Sequence, residues 1–189
     1  MVVPDGNGGL VDLASQPFTA DNGVTVTPDM DNYKSTVFFN FLNRAARKLK
    51  EMDPELKIVS LAYIYCEYPP AVDIEDNIVV QFAPIYSDDH LPIETASSNA
   101  TVKKNLTGWA EKTKNIVVYN YYASLPCAIY SRPIAEKVQK DFQFYADLGL
   151  LGLTPEGGVD SAPGYVNYSA WSMNHPYYWL MDRLMWDPY

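Results

Sequence analysis

The segment Asn115–Ser124, NIVVYNYYAS, indicates the fold of this chain. Its first half is an apolar, β-branched run without polar alternation, which is typical of a strand buried on both faces of a parallel sheet. Its second half gathers tyrosines and an amide at the carboxyl end of the predicted strand. Similar segments begin at Leu56 (LKIVSLAYIYCEY) and Asn77 (NIVVQFAPIY), and a weaker one begins at Leu150 (LLGLTPEGG). These segments predict a row of parallel strands whose carboxyl ends form one surface rich in aromatic rings and hydroxyl groups.

Helical periodicity begins at Asp31, after a predicted hairpin around Asp21-Asn22-Gly23. Apolar residues recur every three or four positions as far as Met52, Asp31 or Ser35 is available as a cap, and Asp53-Pro54 ends the helix. The expected buried face is Val37, Phe38, Phe41, Leu42, Ala45, Leu49 and Met52. The basic residues off this face are expected to be solvated rather than to form a binding patch.

Further helical segments follow along the chain. One carries Val102, Leu106 and Trp109 at helical spacing, and another begins after Ser131 and ends at Gly149. The second of these is expected to bury Ile134, Val138, Phe142, Tyr145 and Leu148. Residues 165–189 are aromatic and helical, and we expect a break near Pro176. The packing residues expected there are Leu180, Leu184 and Trp186.

Strands that alternate with helices predict an α/β fold with a parallel sheet and right-handed crossovers. The connection between strands Lys57–Tyr65 and Asn77–Tyr86 contains two adjacent prolines and is too short for a full crossover helix, so we expect that helix to be absent. A complete eight-stranded barrel typically needs about 250 residues. The chain, residues 1–189, is therefore predicted to be a single domain, a partial TIM-like (β/α) barrel with about four to five parallel strands and outer helices. Residues 1–30 are expected to be a truncated strand end followed by a long loop.

The composition argues against several classes of protein. A net charge of −9 is unfavourable for a nucleic-acid partner, which requires a Lys/Arg surface. No apolar run reaches the roughly 18 residues of a membrane span. The N-terminal residues contain no basic region followed by an apolar stretch, so we expect no signal peptide in this chain. Cys66 and Cys127 lack neighbours with metal-ligand spacing, and they form either two buried thiols or a disulfide. His90 and His175 are isolated, so we expect no metal and no cofactor.

Polar and aromatic residues collect at the predicted carboxyl ends of the strands, where ligands bind in parallel α/β folds. Glycoside hydrolysis uses two carboxyl groups, while rings cover the apolar face of a sugar and amides or phenols bond its hydroxyls. Asp5 and Glu156 are therefore candidate catalytic groups; alternatively, Asp5 forms a turn and Glu156 is a solvated or capping carboxylate. Trp109 or a C-terminal tryptophan could supply a ring. The candidate substrate-binding residues are Tyr63, Tyr65, Glu67, Gln81, Asn120, Tyr121 and Tyr122, and Glu67 is expected to lie at the rim.

Seven segments carry a resemblance to a known family. They are VVPDGNGG from Val2, DNYKSTVFFNFLNRAARKL from Asp31, DPELKIVSLAYIYCEYPP from Asp53, NIVVQFAPIY from Asn77, LTGWAEKTKNIVVYNYYAS from Leu106, GLLGLTPEG from Gly149 and WLMDRLMWDP from Trp179. Over nearly its whole length the chain resembles a glycoside-hydrolase-like domain of unknown function found in bacterial glycan-degrading proteins. Part of that group is an endo-β-N-acetylglucosaminidase family that acts on N-glycans.

The resemblance implies the C-terminal half of a TIM-like barrel, beginning at the end of the fourth strand, with Asn115–Ser124 as the seventh strand. It also implies an oligosaccharide or glycan partner and a periplasmic or extracellular location. The chain departs from the family because the loop from Val11 to Asp31 contains no cysteine and because a paired-glutamate motif is absent there. A missing N-terminal half-barrel would leave an open sheet edge, for which we expect self-association or a partner half.

Together with the resemblance, the sequence predicts a carbohydrate-active protein, part of a glycosidase that hydrolyses complex glycans of the β-N-acetylglucosaminide type. The alternative is a non-catalytic glycan-binding module or an inactive fragment of such a protein. Hydrolysis would be a property of the full-length protein, and the chain by itself is expected to be inactive.

Overall fold

A parallel β-sheet with flanking helices is the framework of the protein. The computed structural model describes residues 16–122, 133–155 and 168–189, with side chains of the last segment described from His175 onward. The strands are β1 (Phe18–Thr19), β2 (Thr25–Val26), β3 (Ile58–Ala62), β4 (Ile78–Phe82), β5 (Ile116–Asn120) and β6 (Gly152–Pro155). The helices are α1 (Tyr33–Met52), α2 (Ala100–Lys112), α3 (Ala135–Asp147) and α4 (Tyr168–Trp186), with 3-10 turns at Ile64–Cys66 and Ser97–Asn99. The sheet order β3-β4-β5-β6 confirms the predicted α/β fold with four parallel strands and is consistent with a partial β/α barrel.

The described residues divide into two compact units. The first contains the residues before Pro84 together with Asn105–Val117, and it therefore includes the hairpin, α1, β3 and β4. The second contains Pro84–Lys104 and the residues from Val118 onward, with α3, β6 and α4.

The first unit has an apolar core between its strands and helices. β3 and β4 run parallel, with Ile58 opposite Ile78 and Ala62 opposite Phe82. In α2, Trp109 is fully buried and its ring meets Phe39 of α1 edge-on, with the ring centroids 4.9 Å apart. β-Branched residues in the strands and aromatic residues in the helices thus fill the core as the sequence pattern predicts.

The buried face of α1 differs from the predicted one. Asn32, rather than Asp31 or Ser35, is the N-cap residue, and it makes no side-chain cap hydrogen bond. Phe41 and Met52, which the periodicity predicts to be buried, are 63% and 81% exposed. Polar residues are buried instead: Ser35, Thr36, Asn40 and Asn43.

The connection from β3 to β4 explains these buried polar residues. As predicted, it contains no α-helix after the short turn at Ile64–Cys66, and an irregular segment lies against α1. Thr36 Oγ1 accepts a hydrogen bond of 2.9 Å from the Ala71 N–H. The Asn43 amide donates to the Asp73 carbonyl at 2.7 Å and accepts from the Glu75 N–H at 3.1 Å. Side chains of α1 therefore satisfy backbone groups that a crossover helix would have satisfied internally.

The hairpin of β1 and β2 is also fastened to α1. It forms where the sequence predicts it, and Gly23 adopts a φ of 84° in the turn. Asp21, at the hairpin tip, forms ion pairs with Arg44 and Arg47 of α1. Its hydrogen bond from Arg44 is the main reason that the pKa of Asp21 falls to about 2. Part of the basic run of α1 is thus neutralised by acidic partners.

In the second unit, α3 is confirmed and α4 differs from the prediction. Ile134, Val138, Phe142 and Tyr145 are buried, and Gly149, with a φ of 71°, follows the helix. The proposed cap, Ser131, lies outside the described residues.

The predicted break in α4 is wrong, because the helix continues through Pro176. One missing N–H does not stop a helix whose following turns are anchored in the core, here by Met181 and Leu184. The predicted packing of Trp186 is wrong as well, since its side chain is 88% exposed.

Candidate functional site

The carboxyl end of β3, in the first unit, is the most distinctive strand end. β3 ends at Ala62, earlier than predicted, and Tyr63 leads into the 3-10 turn Ile64–Cys66. Ile64 has a φ of 47°, a left-handed conformation that is unfavourable for a β-branched residue. Because strained backbone conformations cluster at functional sites, this turn is a candidate site on backbone geometry alone.

Tyr65 presents an aromatic ring at this turn. Its side chain is 36% exposed, and Lys34 Nζ lies 3.8 Å from the ring centroid. A cation–π contact of this length holds the ring in place from one face. Tyr63 is half-buried in the same turn. Two phenol side chains therefore lie within three residues of each other at the strand end.

Glu67, directly after the turn, is a buried carboxyl group, which corrects the expectation that it lies at the rim. It is only 3% exposed, and its backbone carbonyl accepts a hydrogen bond of 2.8 Å from Trp109 Nε1. Burial raises the pKa of Glu67, and the neighbouring Asn105 side chain opposes the rise. The buried Nδ2 of Asn105 meets no acceptor with hydrogen-bond geometry among the residues that the structure describes. A carboxyl group with a raised pKa is the type that serves as a general acid near neutral pH.

The same turn contains Cys66, a buried free thiol. Burial raises its pKa to about 12, so the thiol is protonated at neutral pH. Its predicted alternative partner, Cys127, lies outside the described residues. Cys66 is therefore a packing residue and not a nucleophile.

A buried polar network occupies the carboxyl end of β5 in the second unit. Asp141 of α3 is fully buried and accepts hydrogen bonds from Lys137 Nζ (2.9 Å), Tyr122 Oη (2.9 Å) and the Ile93 N–H (2.7 Å). Lys137 Nζ also donates to the Leu91 carbonyl at 2.9 Å. Burial raises the pKa of Asp141, although Lys137 partly offsets the rise. The pair holds the segment around Leu91–Ile93 on α3 with charge-assisted hydrogen bonds.

Two further residues extend this network. Asn120 Nδ2 donates to Tyr145 Oη at 3.1 Å, and the Tyr122 and Tyr145 hydroxyls are 3.3 Å apart. Burial is the largest cause of the pKa of each tyrosine lying well above its usual value, so both phenols are neutral. The side chains of Asn120 and Tyr122 are thus committed to hydrogen bonds within the protein. Tyr121, on the other face of the chain, is half-buried, with its ring centroid 5.4 Å from that of Tyr119.

The structure places the predicted site residues in different parts of the chain. Tyr63, Tyr65 and Glu67 meet at one turn of the first unit, whereas Gln81 lies within β4 and not after its end. Asn120 and Tyr122 are buried in the network of the second unit, and Tyr121 remains partly accessible. Asp5 and Glu156 lie outside the described residues, so their catalytic roles remain predictions. Trp109 is fully buried, which corrects the expectation that it supplies an accessible ring.

The sequence pattern did not identify four polar side chains of these two regions, namely those of Lys137, Asp141, Tyr145 and Asn105. A signal was present for the first two, since Lys137 and Asp141 are spaced i, i+4 beside the apolar positions Val138 and Phe142 of α3. Opposite charges at that spacing on a core-facing stripe indicate a buried ion pair. Asn105 carries no comparable signal, because a single asparagine within a helix is most often exposed.

Two kinds of site are not found in the part of the chain that the structure describes. Within residues 16–122, 133–155 and 168–189, no three His, Cys, Asp or Glu side chains are arranged to hold a metal ion. Across the same ranges, none of the helices is both long and apolar enough to cross a membrane.

The fold and its strand-end residues define an α/β protein of the parallel-sheet class. Residues 17–189 match the family described as a domain of unknown function (DUF4838), and the chain belongs to that family. No curated protein and no solved structure matches the chain.

Proposed function

We propose that this chain is part of a carbohydrate-active protein and that the turn after β3 contacts a glycan. The observation that supports the proposal is the combination of the accessible Tyr65 ring with the buried, raised-pKa carboxyl of Glu67 at the carboxyl end of a parallel strand. A sugar ring stacks on an aromatic face, and a carboxyl group binds hydroxyls or donates a proton. Lys34 occupies one face of Tyr65, so a sugar stacks on the other face.

In its catalytic form, the proposal is a glycosidase that acts on β-N-acetylglucosaminide linkages in complex glycans. Glycoside hydrolysis needs a proton donor for the leaving oxygen and a second group that stabilises the oxocarbenium-like centre. Burial raises the pKa of Glu67, which is the direction that a proton donor requires. Asp5 and Glu156 remain candidate acid/base or substrate-orienting groups on sequence grounds.

A second candidate is a glycan-binding module without turnover. The burial of Glu67 favours it, because a carboxyl group that is 3% exposed donates a proton to a sugar only if the turn opens. In this form the accessible Tyr65 ring binds the sugar, and Glu67 positions the turn.

Binding is tested by calorimetric titration with the β-1,4-linked hexamer of N-acetylglucosamine and with a complex N-glycan. Tyr65→Ala is expected to weaken binding about three- to tenfold, which is the size of an aromatic stacking contact. Phe41→Ala is the matched control, because Phe41 is an exposed ring on α1 in the same unit. The proposal is wrong if neither glycan binds to the wild type, or if Tyr65→Ala binds as tightly as the wild type and the Phe41→Ala control.

Turnover separates the two candidates. The same glycans and an aryl N-acetylglucosaminide are incubated with the wild type, Glu67→Gln, Asp5→Asn and Glu156→Gln. Loss of hydrolysis in the Glu67 variant supports the enzyme with Glu67 as the acid, whereas loss only in the other two assigns the chemistry to them. Binding without any turnover by the longest natural form of the protein establishes the binding module.

A further inference from the structure

The solvent face of α4 carries two large aromatic residues. Trp179 is 61% exposed and Trp186 is 88% exposed, whereas Met181 and Leu184 on the same helix are buried. A step of seven residues returns to nearly the same side of an α-helix, so the two tryptophans share one face. Arg183 is four residues after Trp179 and lies between them on that face.

This exposed face departs from ordinary helix amphipathicity, in which the solvent side is polar. Tryptophan is highly buried on average, and an exposed apolar patch on a folded protein marks an interaction site. Here the helix has a normal buried side, formed by Met181 and Leu184, so the tryptophans are additional to its packing. Burial within the described part of the second unit therefore does not account for them.

The spacing of the two rings is specific. Seven residues at the helical rise place Trp179 and Trp186 about 10 Å apart along the axis. This separation is close to the length of one disaccharide unit in an extended β-1,4-linked glycan, so the two rings meet alternate sugars of such a chain. The exposed charged groups of Asp182 and Arg183 lie between the rings in sequence and provide an acceptor and a donor for sugar hydroxyls.

We infer that the Trp179–Trp186 face of α4 is a binding surface for an extended β-1,4-linked glycan. The inference rests on the proposed function for the chemical class of the ligand. Its residues are separate from those of the β3 turn, and the two surfaces are tested by different variants.

The size and polarity of this face favour a glycan over a protein partner. Two indole side chains offer at most about 300–500 Å² of contact area. A standard protein interface needs about 800 Å² on each partner, with charged residues depleted at its centre. Asp182 and Arg183 stand at the centre of this face. Met185, adjacent to Trp186 in sequence, lines a separate groove with Leu151 and Pro188.

Retention on insoluble polysaccharide tests the inference. The protein is mixed with powdered chitin and with crystalline cellulose, and the unbound fraction is measured over a range of protein concentrations. Trp179→Ala and Trp186→Ala are each expected to weaken retention about three- to tenfold, and the double variant is expected to abolish it. Phe41→Ala controls for the loss of an exposed ring elsewhere. Thermal unfolding of both tryptophan variants should match the wild type, because the exposed rings contribute little to packing.

Three outcomes overturn the inference. The wild type is not retained on either polysaccharide, or the tryptophan variants are retained as well as the wild type. Alternatively, light scattering shows a dimer that Trp186→Ala converts to a monomer, which makes the face a protein interface. The proposed function is tested by a different measurement. It fails if Tyr65→Ala binds the soluble hexamer of N-acetylglucosamine with the affinity of the wild type.

Discussion

At the scale of the residue, Ile64 shows how much the turn after β3 departs from a regular strand end. An L-residue in the left-handed region is strained by about 1–2 kcal/mol, and glycine is not. We therefore expect Ile64→Gly to be more stable than Ile64→Ala by about 1 kcal/mol, measured by urea unfolding. Both variants lose the packing of Ile64 beyond Cβ, so their difference reports mainly on the backbone.

The control for this comparison is Val59, an exposed position within β3. There the order should reverse, with the glycine variant less stable than the alanine variant by about 0.5–1 kcal/mol. The same order at both positions would show that Ile64 is not strained.

Glu67 gives a pH-dependent prediction. The pKa of Glu67 in the folded protein lies above its ordinary value of 4.5. At a pH between these two values, the folded protein therefore holds a proton that the unfolded chain has lost. Its stabilising contribution is present below pH 4.5 and is lost as the pH rises through the folded pKa. Each unit of pKa difference corresponds to about 1.4 kcal/mol. Glu67→Gln removes this decline, and its unfolding free energy at neutral pH should equal or exceed that of the wild type.

Unfolding free energies of the wild type and Glu67→Gln between pH 4 and 8 provide the measurement. Glu55→Gln, which replaces an exposed glutamate of the same unit, is the control for the loss of one carboxyl group. A Glu67→Gln profile as steep as that of the wild type would contradict the prediction.

At the scale of the element, α1 explains why the predicted helix face was partly wrong. The periodicity of apolar residues assumes that the helix packs on an apolar neighbour. One neighbour of α1 is an irregular segment, whose free N–H and C=O groups need polar partners such as Thr36 and Asn43. A sequence pattern that scores polar residues as exposed cannot identify this face, because the signal lies in a different segment of the chain.

Gly108 is an exception to a rule of helix stability. Gly→Ala inside a helix ordinarily stabilises by about 1 kcal/mol. A Cβ on Gly108 would lie 2.8 Å from Pro69 Cγ, so Gly108→Ala is expected to destabilise by about 1–2 kcal/mol instead. Adding Pro69→Ala, which removes the clashing atom, should recover much of this loss in thermal unfolding. A stabilised Gly108→Ala variant would show that the two segments separate easily.

The ion pair on α3 gives a second prediction for an element. Lys137→Met keeps the apolar stem but leaves Asp141 buried without a cation, so it should cost about 3–5 kcal/mol at neutral pH. The loss should shrink at acidic pH, because Asp141 then takes up a proton. Lys140→Met, an exposed lysine on the same helix, should change the unfolding free energy by less than about 1 kcal/mol. A loss in Lys137→Met that does not vary with pH would exclude an unpaired Asp141 as its cause.

At the scale of the whole molecule, the sequence predicted the sheet better than the site. Strands such as Ile78–Phe82 and Ile116–Asn120 are continuous apolar runs, so their existence follows from local pattern. The surroundings of the residues that follow the strands cannot be predicted in this way. Tyr63 and Tyr122 look alike in sequence, but Tyr63 is half-buried whereas the Tyr122 hydroxyl donates a hydrogen bond to Asp141. Burial of a polar strand end depends on residues far along the chain, which no local pattern contains.

The sheet order itself predicts a gradient of protection. β4 and β5 each lie between two described strands, whereas β3 and β6 each have one. In native-state hydrogen exchange, the amides of Ile78–Phe82 and Ile116–Asn120 should exchange at least about tenfold more slowly than those of Ile58–Ala62 and Gly152–Pro155. Equal protection of all four strands would indicate that the outer strands are covered by further chain.

The helix-free connection between β3 and β4 also matters for anyone who modifies this protein. Surface loops are the usual places for inserted tags, labels or new termini, and an irregular, proline-containing segment looks suitable. Between Ala71 and Asn77, however, the backbone is held by the side chains of Thr36 and Asn43, and Asn77 Nδ2 donates to the Ala46 carbonyl at 2.9 Å. This loop should therefore tolerate insertion as poorly as a core strand, although it contains neither a strand nor an α-helix.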